Sequence, residues 1–138
     1  MARGQGLSFK SVSCKHVSAD KIESWNDLLV WQKAHSAALE VYRITKAFPA
    51  DERFRLTDQL CRAAASIPTN IAEGKGRGSL LEFRQFLIIA RGSIEETRYL
   101  LLLAKDLGLL APETHASLEA VYTEISKMTN ALLRSLKP

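Results

Sequence analysis

The chain lacks an apolar run long enough to cross a membrane. A span takes roughly 18 residues, and the leucine run at 100–103 has four, between Arg98 and Lys105. No apolar segment of the signal-peptide kind opens the sequence, so nothing directs export. Cys14 and Cys61 stand alone, without the spacing of a disulfide framework, a zinc site or a redox pair. These absences lead us to expect a reduced, cytoplasmic protein with no membrane association. Aromatic residues are scarce at 7%, and no stretch alternates polar with apolar residues as a strand would.

Residues that would carry catalysis or hold a metal are also missing. Metal-binding helical bundles use a Glu-x-x-His pair on facing helices. Here His35 is preceded at that spacing by Gln32 and His115 by Pro112, while His16 lies in the N-terminal segment. The serines have no nucleophile-elbow context. Glu73, Glu95 and Glu96 are explained by salt bridges to nearby arginines. We therefore expect no metal, no cofactor and no enzymatic activity.

The 138 residues, 46% hydrophobic and 25% charged, suit one domain with a single core. Leucine and alanine are abundant, which favours helices. Residues 1–24 are rich in Gly, Ser and Lys and show no period, so they read as a disordered tail; a basic arm following nucleic acid is the alternative. Residues 25–138 read as four helices. The first begins near Asn26 or Asp27, runs to about Lys46, and ends before Phe48-Pro49. A second starts around Asp51-Glu52, with Phe54, Leu56, Leu60, Ala63, Ala64 and Ile67 on its buried side. Pro68 must kink or stop it, and Gly74 is suited to close it. The third opens with a capping box, Ser79-Leu80-Leu81-Glu82, and continues to about Leu107, with Gly108 as its stop. It is apolar over most of its circumference, which points to burial on several sides, including against another subunit. Pro112 fits the first turn of the fourth, whose seam reads Leu118, Val121, Ile125, Met128, Leu132 and Leu136. Short connections between four such helices predict an all-α, up-down-up-down four-helix bundle with a kinked second helix.

The stretch from Ser66 to Ser79 is the most unusual in the chain. It holds an internal proline and three closely spaced glycines. Gly74-Lys75-Gly76-Arg77-Gly78-Ser79 has neither the spacing nor the preceding strand of a Walker loop. It remains a glycine-rich turn with two cations before a helix N-terminus, either a plain turn or a place for phosphate. Asn70 and Glu73, with Gln59, Ser66 and Pro68, form a candidate network that repairs backbone groups freed at the proline. Net charge is +4 and the pI about 9.2. Residues 53–91 alone carry a net +4, residues 1–23 a net +2, and the chain after 92 is near balance.

A set of motifs resembles the four-helix-bundle family encoded in intervening sequences of bacterial large-subunit rRNA genes. Its relatives include the accessory variability determinant of diversity-generating retroelements. The resemblance rests on Asp27-Leu28-x-Val30-Trp31-Gln32-Lys33-Ala34, on Phe48-Pro49, and on the run from Leu56 through Gln59, Arg62-Ala63-Ala64, Ser66-Ile67-Pro68 and Asn70-Ile71-Ala72-Glu73-Gly74 to Gly76-Arg77. Phe83, Phe86, Ala90, Gly92-Ser93 and Lys105-Asp106-Leu107-Gly108 extend it. It covers roughly residues 25–137, and the segment before it is longer than the family pattern needs, which fits an upstream start codon. The resemblance implies a ring-shaped homopentamer. It also implies, by similarity to the retroelement relative, a basic surface that binds nucleic acid and a partner reverse transcriptase. The positions that match such a surface are Arg53, Arg55, Arg62, Lys75, Arg77, Arg84 and Arg91. We thus expect a non-enzymatic homo-oligomer that binds RNA or DNA, favouring structured RNA; the alternative is an interaction scaffold or accessory subunit without nucleic-acid binding of its own.

Overall fold

The structure, a computed structural model, describes residues 24–137. The expected tail, Ser24 excepted, lies outside the described residues. Four α-helices make up the fold: α1 (Leu29–Thr45), α2 (Asp58–Gly76), α3 (Leu80–Asp106) and α4 (Pro112–Ser135). The described residues contain no strand, and none of their helices is long and apolar enough to cross a membrane.

Specific pairs fix the direction of each helix. The Ser66 and Ser93 hydroxyls meet at 2.8 Å, and Gly74 lies against Phe86, so α2 and α3 are antiparallel. Arg98 reaches Glu119 while Arg91 reaches Asn130, which sets α3 against α4. Lys33 pairs with Glu124 at 3.5 Å across α1 and α4, and Thr45 meets the Cys61 thiol at 3.4 Å across α1 and α2. An up-down-up-down bundle results, with α2 and α3 the most extensively packed pair.

Its core draws on every helix. Ala34, Val41, Leu60, Ala64, Ile67, Ile71, Leu87, Ile94, Leu101 and Ile125 are fully enclosed. Burying such a leucine or isoleucine contributes about 1.5–3 kcal/mol each. Small residues let the helices close in: Gly74 is enclosed, and a Cβ there would stand 2.5 Å from the Phe86 Cβ.

Several sequence expectations need correction. Asn26 and Asp27 do not cap α1; they lie in a 3₁₀ turn (Trp25–Asp27), and the Gln32 amide donates to the Asn26 carbonyl at 3.0 Å to hold that turn. A π-helical turn, Arg53–Thr57, precedes α2. Its wider winding shifts the phase of the side chains, so Phe54 is 85% exposed rather than buried. Gly74 does not close α2, which runs on to Gly76. On α4 the buried line is Leu118, Tyr122, Ile125, Thr129 and Leu133; Val121 is exposed and Met128, Leu132 and Leu136 flank the core.

Candidate nucleic-acid interface

Pro68 sits inside α2 without ending it. The Asn70 amide donates to the Ser66 carbonyl at 2.8 Å and the Ser66 hydroxyl at 3.0 Å, and Thr69 donates to the Ala65 carbonyl at 2.8 Å. Ser66, Asn70 and Ser93 therefore form a polar knot around the proline. Gln59 and Glu73 stand outside it. Gln59 is half a turn round the helix from Pro68 and faces solvent, while Glu73 is drawn outward by Arg77 at 3.0 Å.

The turn after α2 is built as the capping pattern predicts. Gly78 takes φ +84°, which a side chain would strain. The Ser79 hydroxyl accepts from the Glu82 amide at 3.1 Å and donates to the Glu82 carboxylate at 3.0 Å, so the α3 N-terminus is met by its own acid. Arg77 lies between Glu73 and Glu82 (3.0 and 3.5 Å) with its guanidinium 5.0 Å from the Phe86 ring centre. Lys75 stands over the Phe83 ring at 5.8 Å.

The seven expected basic residues divide by position. Arg53, Arg55 and Arg62 lie on the first turns leading into α2. Arg55 pairs with Glu52 at 3.4 Å and Asp51 at 3.7 Å, Arg62 with Asp58 at 3.3 Å, and Arg53 covers Phe54. Arg55 and Arg77 are about 30 Å apart along the helix axis, from its rise per residue. Lys75, Arg77 and Arg84 lie toward the other end, where α2 stops and α3 starts, and Arg91 lies two turns beyond Arg84, near the middle of α3.

Arg84 and Arg91 open into a basin of about 330 Å³ between α3 and the last turns of α4, completed by Ile88, Asn130, Leu133, Arg134 and Lys137. The Arg84 guanidinium donates to the Leu133 carbonyl, and that of Arg91 to the Asn130 side chain at 3.3 Å. Among the described residues no carboxylate pairs with Arg84, Arg91, Arg134 or Lys137. A family model described as 23S rRNA-intervening sequence protein matches residues 26–131. The chain belongs to that family. The resemblance to the rRNA intervening-sequence family, read from motifs between Asp27 and Gly108, is thereby confirmed. A solved relative is the 1.70 Å crystal structure of a protein of unknown function from the S23 ribosomal protein family of Bacteroides thetaiotaomicron VPI-5482. It is 26% identical, superposes with a TM-score of 0.72, and covers 77% of this chain and 96% of its own. Among curated proteins none matches.

Arg134, Lys137 and Asn130 did not stand out in the sequence, because charge after residue 92 is near balance. The spacing of 130 and 134 puts Asn130 and Arg134 on one side of α4, while Lys137 follows the helix end and carried no such signal. Two apolar features, a groove and a stripe, border the basic residues: Ile88 belongs both to the α3 stripe and to the basin, and Glu73 lines the α1–α2 groove. Trp25 (edge-on, centroids 4.8 Å) and His35 (stacked, 4.9 Å) flank Trp31 in a groove of about 600 Å³ between α1 and α2. On α3, Leu81, Ile88, Gly92, Tyr99 and Leu102 form an exposed stripe; Leu81 is 66% and Tyr99 58% exposed. The described residues hold no cluster of His, Cys, Asp or Glu able to take a metal.

Proposed function

We propose that this protein is a non-enzymatic, self-associating, cytoplasmic nucleic-acid-binding protein whose basic surface engages structured RNA. The observation that carries the reading is a set of six cations: Arg84, Arg91, Arg134 and Lys137 around the α3–α4 basin, and Lys75 and Arg77 at the end of α2. Of these six, only Arg77 has a carboxylate partner among the described residues. Cations without acids are free to meet phosphate, and a family named for intervening sequences of 23S rRNA makes RNA the natural polymer. Self-association is supported by the apolar α3 stripe, too large a run of exposed side chains for a face meant only for water. The number five for the assembly comes from the resemblance alone.

Binding of this kind releases counterions. With about four phosphates engaged, log affinity should fall against log salt with a slope of about −3 to −4, from unpaired to paired RNA. Fluorescence anisotropy with a labelled structured RNA across a salt series tests this, and Lys75→Ala with Arg77→Ala should flatten the slope. Affinity that is flat with salt refutes the reading. A second reading, an accessory subunit for a partner such as a reverse transcriptase, is favoured by the aromatic α1–α2 groove. It predicts protein free of nucleic acid and unaffected by the same substitutions.

A further inference from the structure

The basin between α3 and α4 holds more positive charge than the fold requires. Part of that charge has a structural job. Carbonyls at a helix C-terminus are short of backbone donors; that of Leu133 accepts from the Leu136 amide at 3.3 Å, and Arg84 donates to it as a second partner. A helix C-terminus carries only about half a negative charge, however. Four cations, Arg84, Arg91, Arg134 and Lys137, surround it with no acid within reach among the described residues. Arg91, Arg134 and Lys137 are exposed, so an anion entering the basin meets them without displacing an acid.

The shape of the basin narrows the kind of anion. It is concave, about 330 Å³, and its lining includes two apolar residues, the exposed Ile88 and the largely buried Leu133, beside the cations. A row of duplex phosphates is convex and evenly spaced, so it would touch the rim and leave the floor empty. An unstacked nucleotide offers a phosphate for the rim and an apolar ring face for the floor, with the Asn130 amide beside it for a base edge. We infer that the α3–α4 basin seats a single extruded nucleotide of an RNA loop, its phosphate on Arg91, Arg134 and Lys137 and its base over Ile88 and Leu133. The inference rests on the nucleic-acid reading above and adds to it a preference for looped over paired RNA.

Two labelled RNAs of equal length, a hairpin with an unpaired loop and a blunt duplex, separate the possibilities in anisotropy titrations at one salt concentration. The hairpin should bind roughly tenfold more tightly, the scale of one seated base. Arg91→Ala with Arg134→Ala should abolish that preference. Arg53→Ala with Arg62→Ala, which removes the same charge from residues that do not line the basin, should keep it. Arg84 is left intact because it caps α4, and circular dichroism of each double variant checks the fold. Equal binding of hairpin and duplex overturns the inference and leaves nucleic-acid binding standing. A preference that survives Arg91→Ala with Arg134→Ala overturns it too, by placing the recognition elsewhere. Failure to bind either RNA at low salt removes the nucleic-acid reading as well.

Discussion

Replacing Gly74 by alanine sets two effects against each other. Alanine in a helix interior is favoured over glycine by about 1 kcal/mol. Against this, the new Cβ would lie 2.5 Å from the Phe86 Cβ and 3.3 Å from both the Phe86 Cγ and the Phe83 Cδ1. Carbon atoms rest at about 3.5–4.0 Å, so the overlap with Phe86 is about 1 Å. The Phe86 Cβ is fixed to its backbone and cannot swing aside, so α2 and α3 must part along their largest interface. Overpacking of this kind costs about 1–3 kcal/mol, occasionally more. A clash this deep, at the root of a side chain, belongs at the upper end, so the net loss should be about 2 kcal/mol. For a bundle of this size that is a fall in Tm of about 8 °C. Thermal and urea unfolding followed by far-UV circular dichroism measure it. Gly76→Ala, with nothing within 4 Å of its Cβ, is the control and should leave stability unchanged or slightly raised. If Gly74→Ala is as stable as the wild type, close approach is not what holds a glycine at this position.

Two further substitutions probe the interior and the α3 stripe. Tyr122 is fully enclosed and its hydroxyl has no hydrogen-bond partner among the described residues, so Tyr122→Phe should stabilise the fold by about 1 kcal/mol in urea titration. Burial raises the Tyr122 pKa above the ordinary value of about 10; the unfolded chain therefore ionises first, and stability present below that pH is lost as the pH rises beyond it. That alkaline loss should be smaller in Tyr122→Phe; an equal loss in both proteins refutes the link. Gly92 is exposed in the middle of α3 with open space at its Cβ. Gly92→Ala should stabilise the dissociated chain by about 0.5–1 kcal/mol yet shift the assembly to smaller species in light scattering; an unchanged assembly would remove the α3 stripe as the subunit contact.

The helices were legible because their ends carry local chemistry. Ser79 with Glu82, Gly108 at φ +78° and Pro112 in the first turn of α4 all act within a few residues of themselves. The seam of α4 was read one residue out of phase for an equally local reason. Tyr122 and Thr129 look like solvent-facing residues, yet Thr129 satisfies its hydroxyl on the Ile125 carbonyl at 2.8 Å and so can be buried. Thr97 does the same on the Ser93 carbonyl at 2.8 Å. Phe54 misled because a π-helical turn breaks the period that the reading assumed. At the candidate site, Arg84 and Arg91 were legible as charge. The basin was not, because its other wall is supplied by residues 39 to 49 positions later in the chain. Only the packing of α3 on α4 brings Leu133, Arg134 and Lys137 alongside.

The bond from Arg84 to the Leu133 carbonyl makes the end of α4 part of the basin's wall. Helix ends fray, opening and rewinding many times while the rest of the molecule stays folded. Each time the last turn of α4 opens, the Leu133 carbonyl swings away, Arg84 loses its anchor, and Arg134 and Lys137 leave the cluster. Occupancy and winding are therefore one equilibrium. A ligand held only by the wound form shifts the turn toward helix, and by reciprocity a change that frays the last turn, residues 132–135, weakens binding without removing a single cation. Slowed amide hydrogen exchange in that turn is the mark such a ligand would leave.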